Sequence, residues 1–383
     1  MIVMTKVNDR VSDLINKQVS DGRQIGVQVC AYMDGRRVVD TWAGNMGPAD
    51  PRPVWADSLF CSWSTTKGVT ATAIHMLADR GIIDYDARVA DYWPEFAQNG
   101  KEGITVTQAL SHQAGIHALP SPFSLDFLLD WDAGIEYVEK AKPAYPPGSK
   151  TGYHAFTFGL IAGGIIQGAT GRHIKDLIRE EIAEPLGVDD EMFIGIPDGV
   201  EERLTSIDVW DIPKTFKEIG LKLPPDHDWF KAMPNEMWNH VNNMKVRKAC
   251  IPAGNGHFTA RALAKMYAAF ARDGVIDGVR LVSPEGIKEM NRLVIEEFDI
   301  VIGAKSRRGI GFSLGGPIEG VTGAMGSSET AFGHGGAGGS IAFADPEAKL
   351  AVAVTLNKMQ FEQPGKGRTL EICDLIREEL GVA

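Results

Sequence analysis

The chain has 383 residues, 44% of them hydrophobic and 23% charged, with a formal net charge of −11. That is soluble-protein composition with apolar material for a large core, and the length suits two or three domains or one domain with an insertion. The acidic balance argues against nucleic acid or an anionic membrane as main partner.

In chain order, residues 1–6 turn polar too early for a signal peptide. Val7, Val11, Leu14, Ile15 and Val19 then recur at helical spacing and predict an amphipathic helix. Two strand-like runs follow at 26–33 and 37–43, with the hairpin signal Asp34-Gly35 between them. Residues 59–63 are apolar and end in a short loop-like step. The small, apolar run 68–78 comes next, closed by Gly81 as a C-cap. A helix that is apolar nearly all round belongs in the protein's centre.

From about 69 to 272 the pattern is mostly helical, with helices starting after the N-caps Thr105 and Thr259. The apolar run 158–166 is too short to span a bilayer. The loop-rich stretch 184–240 carries Trp210, Phe216, Trp229, Phe230 and Trp238. These aromatics fit a second small core and a wall or lid over a substrate pocket equally well. Further on, 309–314, 339–344 and 350–356 read as strands, and Leu370, Ile372, Leu375, Ile376 and Leu380 predict a closing helix.

β-rich ends around a helical middle predict an α+β fold, an antiparallel sheet from both termini flanked by helices, with an inserted, mostly helical subdomain. The expected division is 1–84 with 275–383 for the sheet part and 85–274 for the helical part, with the active site between them. Cys30, Cys61, Cys250 and Cys373 are scattered, which suits neither a disulfide framework nor a zinc site. Reduced, mostly buried thiols in a cytoplasmic enzyme are the expectation.

Three motifs carry chemistry. Ser64-Thr65-Thr66-Lys67 is the only Ser-x-x-Lys in the chain. On a helix the two residues lie one turn apart on one face, with Ser64 at the N-terminus, where free N–H groups favour an oxyanion. A serine is a weak nucleophile until a base takes its proton, and lysine serves as that base only when burial or charge lowers its pKa. Alone, the pattern equally fits a polar helix start with a solvated lysine.

The second motif, Pro147-Gly148-Ser149-Lys150-Thr151-Gly152-Tyr153-His154-Ala155, places Tyr153 after a tight turn, where a phenol can relay a proton. Taken alone, an ordinary half-buried tyrosine fits better. The third is Gly333-His334-Gly335-Gly336-Ala337-Gly338-Gly339-Ser340. Glycines in a strand context mark a close approach of another group. An acyl substrate along this edge could bond to backbone, with the Ala337 N–H completing an oxyanion hole with the Ser64 N–H. A Gly-rich hairpin loop is the plain alternative.

In this order and spacing the motifs resemble the class C β-lactamase and penicillin-binding-protein superfamily, and within it the family VIII carboxylesterases. The resemblance covers nearly the whole chain. It includes Leu110-Ser111-His112-Gln113-Ala114-Gly115, Asn255-Gly256-His257-Phe258-Thr259-Ala260-Arg261-Ala262 and Gly339-Ser340-Ile341-Ala342-Phe343-Ala344-Asp345-Pro346. It implies a β-lactamase-like fold and an acyl-enzyme mechanism. Ser64 attacks, Lys67 and Tyr153 manage protons, and the Ser64 and Ala337 backbones hold the oxyanion. Candidate substrate-binding residues are His154, Asn255, His257, His334, Gly335 and Gly336, although a structural place fits His154 and His257 equally well. Two positions depart from the β-lactamases. Ala155 stands where they carry the asparagine of Tyr-x-Asn, and His334-Gly335-Gly336 where they carry Lys-Thr-Gly. Losing an amide contact and a fixed positive charge favours neutral esters.

The expected function is hydrolysis of short to medium acyl esters, with a small-molecule ester as partner and no cofactor, metal, nucleic acid or membrane. A β-lactamase, D-amino-acid peptidase or acyltransferase using the same serine is the alternative within the enzyme class. Outside that class it is a silent binding or sensor protein of the same fold. Gly311-Phe312-Ser313-Leu314-Gly315 matches a nucleophile elbow but runs into Gly315-Gly316-Pro317, which cannot start a helix, and reads as strand. Lys150-Thr151-Gly152 lies far from the C-terminal strands, and Gly148-Ser149-Lys150-Thr151 lacks phosphate-loop spacing. His112 and His117 fit a metal pair poorly, and His112 reads as structural. The basic clusters 245–248 and 306–308 read as solvated surface.

Overall fold

The computed structural model describes residues 2–218, 222–363 and 365–382. Both ends of the chain contribute to one nine-stranded sheet. Its strands are β1 (Gly26–Met33), β2 (Arg36–Gly47), β3 (Asp50–Pro53), β4 (Ile295–Asp299) and β5 (Ala304–Arg308). The rest are β6 (Ser313–Leu314), β7 (Phe332–Gly335), β8 (Ile341–Asp345) and β9 (Leu350–Leu356). The order is β3-β2-β1-β9-β8-β7-β6-β5-β4, antiparallel at every pairing. The two ends of the chain meet where β1 pairs with β9, Val27 opposite Leu356 and Met33 opposite Leu350. Asp34 and Gly35 both take positive φ, the conformation a two-residue hairpin turn needs.

Among the described residues five helices have eleven residues or more: α1 (Ile2–Ser20), α2 (Thr66–Asp79), α3 (Thr157–Thr170), α4 (Ala260–Phe270) and α5 (Arg368–Leu380). α1 and α5 cover one face of the sheet, with Val7, Val11, Ile15, Ile372 and Ile376 packed on Val27, Val29, Val352 and Val354. On the other face Cys30, Tyr32, Ala351 and Ala353 join a core with Leu263 and Tyr267 of α4. With both faces covered, β1 and β9 need apolar residues at successive positions, so their sequences are nearly continuous apolar runs. Alanines on β9 and on α4 let that helix lie close to the sheet. α4 therefore packs against β1, β8 and β9, although it lies within the 85–274 segment expected to be the helical part.

α2 is buried at every position from Thr66 to Leu77. Gly68 lets it approach α4, since a Cβ there would lie 2.1 Å from the Tyr267 hydroxyl. A three-stranded sheet (Phe60–Cys61, Gly256–Phe258, Met192–Ile194) braces its N-terminus. Two expected strands are shorter than the sequence pattern predicts. Of 309–314 only Ser313–Leu314 is strand, because Gly311 takes φ +78 against Ala71 and breaks the extended chain. Of 339–344 only the part from Ile341 is strand, because Gly338 and Gly339 form a positive-φ turn. The four cysteines are free. Among the described residues no helix is long and apolar enough to cross a membrane, and no cluster of three His, Cys, Asp or Glu could hold a metal.

Candidate active site

The turn that carries Ser64 starts at the small sheet. The Ser62 N–H donates to the Gly256 carbonyl at 2.9 Å, and the Gly256 N–H donates to Thr66 Oγ1 at 2.9 Å. Between these anchors Trp63 takes φ +50, a conformation costly for a bulky side chain. The chain then runs through the 3₁₀ turn Trp63–Thr65 into α2. Ser64 is half-buried at this turn, which the Thr65 N–H closes by donating to the Ser62 carbonyl at 3.2 Å.

Lys67 is fully buried one turn on. Its Nζ is 3.1 Å from Ser64 Oγ and donates to the Ala155 carbonyl at 2.7 Å and the Ala253 carbonyl at 2.8 Å. Among the described residues no carboxylate pairs with it. Burial, and next the Arg308 charge, hold its pKa well below the ordinary amine value.

Tyr153 is held from behind. Its N–H donates to Asp299 Oδ1 at 3.1 Å, and Asp299 also receives Arg308 Nη2 at 2.7 Å. The ring lies between Lys67 Nζ, 4.8 Å from its centroid, and Arg308 Cζ, 5.0 Å away. The phenol is within hydrogen-bonding reach of Ser64. Burial pushes its pKa up to about 12, against the Ser64 hydrogen bond and the Arg308 charge.

The third motif closes the site. Gly336 sits directly on the Ser64 turn, since a Cβ there would come 2.2 Å from the Ser62 carbonyl oxygen. That contact sets the Gly-rich turn, in which Ala337 follows Gly336, against residues Ser62 and Thr65 on either side of Ser64. His334 on β7 is buried, donates Nδ1–H to the Gly335 carbonyl at 2.7 Å, and has its pKa lowered to about 3 by burial and then by Lys67. It is neutral at physiological pH, so no fixed positive charge stands on this strand end.

The structure thus brings Ser64, Lys67, Tyr153, His334, Gly336 and Ala337 together. It does not bring His154, Asn255 or His257 to the substrate side. His154 donates Nδ1–H to the Gly152 carbonyl at 2.7 Å and accepts the Ile116 N–H at 2.9 Å, so backbone consumes both ring nitrogens. The Asn255 amide closes its own loop, bonded to Val246, Ala249 and Ile251. His257 pairs with the Asn255 carbonyl, and Trp63, Asn255 and His257 all line a small cavity of about 20 Å³. His112 supports Tyr153, accepting the His154 N–H at 3.0 Å with its ring 4.8 Å from the Tyr153 ring.

Asp299 and Arg308 are the positions sequence reasoning missed. Arg308 is not solvated surface as expected. Strand alternation turns it inward while the pairing with Asp299 neutralises it. Arg247, in the other basic cluster, is likewise buried, bonded to the Thr205 carbonyl and Asn242. Hydropathy gave no signal, because on β4 the apolar Phe298 faces solvent and the acid beside it faces in.

The aromatic segment joins the main core and forms a wall against Trp63, the neighbour of Ser64. The Trp238 ring is 4.9 Å from Trp63, and Trp210 is 6.2 Å from Trp238. Grooves of about 560 and 930 Å³ run along this wall and share Asn235 and Glu236.

Comparison with known proteins agrees with this geometry. Residues 11–374 match the family described as Beta-lactamase. The chain is 38% identical to "Esterase/beta-lactamase LipL" of Mycobacterium tuberculosis, over 88% of this chain and 78% of that one. A crystal structure of a family VIII carboxylesterase superposes with TM-score 0.87 at 35% identity, covering 97% of each chain. A penicillin-binding-protein homologue from Caulobacter crescentus superposes at 0.85 and 33%, again over 97% of each. A family match across nearly the whole chain, on a fold that sets a serine against a buried lysine at a helix start, makes this chain a member of the beta-lactamase family of serine hydrolases.

Proposed function

We propose that the protein is a carboxylesterase that cleaves neutral esters of short to medium acyl chains through an acyl-enzyme on Ser64. The observation that carries this reading is Lys67, a buried amine 3.1 Å from the serine hydroxyl that has no counter-ion among the described residues. Two of its tetrahedral directions are occupied by the Ala155 and Ala253 carbonyls. In the neutral amine the remaining lone pair is directed at the Ser64 proton.

Burial favours the neutral form of both Lys67 and Tyr153, which sets their roles: the amine is the base and the phenol the acid. In acylation the Ser64 oxygen attacks the ester carbonyl while its proton passes to Lys67. The oxyanion is held by the Ser64 and Ala337 N–H groups. The C–O bond to the alcohol breaks, and Tyr153 protonates the departing oxygen. In deacylation the phenolate takes a proton from water as that water attacks the acyl carbonyl. The Lys67 ammonium returns its proton to Ser64, so ester and water become acid and alcohol with the enzyme unchanged.

Neutral esters are favoured because Ala155 offers no side-chain amide and the neutral His334 no charge for a substrate carboxylate. The active site lies between the sheet, which supplies His334 and Ala337, and the helical part, which supplies Tyr153. The test is turnover of a p-nitrophenyl ester series and of a chromogenic cephalosporin by wild type and Ser64→Ala. Ester turnover lost in the variant, with little cephalosporin cleavage, supports the reading. Turnover surviving in Ser64→Ala removes it, and dominant cephalosporin cleavage replaces esterase with β-lactamase.

A further inference from the structure

We infer that the start of the closing helix α5 sets the oxyanion hole, with Thr369 and Arg368 as positioning residues that aim the Ala337 N–H. The inference rests on the esterase reading above and adds to it a part of the chain that touches neither substrate nor nucleophile.

Ala337 N–H belongs to the same peptide unit as the Gly336 carbonyl, and in a trans peptide the two point in opposite directions. The Gly336 carbonyl accepts the Gly339 N–H at 3.1 Å, while the Gly336 N–H donates to the Ser340 carbonyl at 2.7 Å. These bonds turn the Ala337 N–H away from Gly339. The aim of that donor therefore depends on where Gly339 is held.

Gly339 cannot hold itself. It takes φ +116 beside Gly338 at φ +88, and glycine at such angles has little intrinsic preference. Two buried side chains of α5 supply the restraint. Thr369 Oγ1 donates to the Gly339 carbonyl at 2.8 Å. Arg368, only 1% exposed, donates Nη2 to the Gly338 carbonyl at 2.6 Å. The same guanidinium reaches the carbonyls of Lys358 and Arg23, at the end of β9 and the approach to β1, and Glu362 lies 3.0 Å from its Nε. The turn is thereby tied to the rigid centre of the sheet. On the opposite side it is wedged against Ser62 through Gly336. Helix α5, the Gly-rich turn and the nucleophile turn form one rigid stack.

The test uses the full-length protein with p-nitrophenyl butyrate. Thr369→Val keeps the side-chain shape and removes the hydroxyl, and Thr369→Ser restores it. The expected result for Thr369→Val is a fall in kcat of about tenfold with KM within about twofold, since a donor left to swing costs less than the 10²–10³ of a donor removed. Thr369→Ser should return to within about threefold of wild type. Fluorophosphonate labelling of Ser64, which also places an oxygen in the hole, should slow in parallel with kcat. A purely structural role would lower the melting temperature and leave kcat per labelled site unchanged, and that result overturns the inference. Arg368→Lys, which cannot span the same three carbonyls, carries the same expectation should Thr369→Val not fold. The two readings fail differently. Wild-type turnover that does not depend on Ser64 brings both down, whereas Ser64-dependent turnover with wild-type kcat in Thr369→Val overturns the positioning role alone.

Discussion

Gly336→Ala is a sharp test of how the site is assembled. The new Cβ would stand 2.2 Å from the Ser62 carbonyl oxygen and 3.1 Å from Thr65 Oγ1. Carbon–oxygen contacts settle near about 3.3 Å, so the Gly-rich turn and the nucleophile turn must part by about 1 Å. Gly336 is not among the glycines with positive φ, so alanine suits its backbone and the effect is steric alone. A misplacement of about 1 Å between reacting groups can cost about 10²-fold in rate, or about 2.7 kcal/mol of transition-state stabilisation. Overpacking costs a further ~1–3 kcal/mol of stability. The assay is kcat and KM on p-nitrophenyl butyrate beside a thermal melt. The expected outcome is a kcat lower by about two decades in a protein that still folds. A folded Gly336→Ala variant with kcat within about threefold of wild type would refute the claim that this contact places the oxyanion donor.

Lys67→Ala should remain folded and lose most fluorophosphonate labelling, and labelling at the wild-type rate would require a different base. Because the Lys67 pKa is depressed and the neutral amine is the base, kcat/KM should fall as pH drops through the folded value and hold on the alkaline side. A profile from about pH 5 to 10 reads this, and a fall only toward alkaline pH contradicts the assignment. The same depression means that the unfolded chain binds the extra proton first, so this lysine's contribution to stability declines as pH falls below the unfolded value, about 10.4. Tyr153→Phe should lower kcat strongly with KM little changed, since the phenol acts on the departing oxygen. Asp299→Ala leaves Arg308 buried without its partner and frees the Tyr153 N–H. Loss of about 3–5 kcal/mol in urea denaturation is expected, and a change below about 1 kcal/mol would show that the pair is dispensable.

Much of the site is legible in the chain because its chemistry is local. Ser64 and Lys67 share a helix face by spacing alone, and the apolar run after them requires burial, which lowers the pKa of the lysine. The hairpin at Asp34-Gly35 and the extent of β9 follow from turn chemistry and β-branched patterning. The N-caps Thr105 and Thr259 are both used as expected, each accepting a backbone N–H from the first turn of its helix.

What the tertiary structure decided are relations between distant segments. Whether a histidine faces substrate depends on its hydrogen-bond partners, and backbone groups engage both nitrogens of His154 while the cleft receives His334. Arg308 resembles its solvated neighbours in sequence, yet strand register turns it toward Asp299, nine residues away, and behind Tyr153. The glycines at 336–339 announce a close approach, but only the fold shows that Ser62 lies on one side and helix α5 on the other. Local spacing dictates which groups are chemically able. Long-range packing dictates which of them meet, because burial and orientation belong to the assembled core and to no single segment.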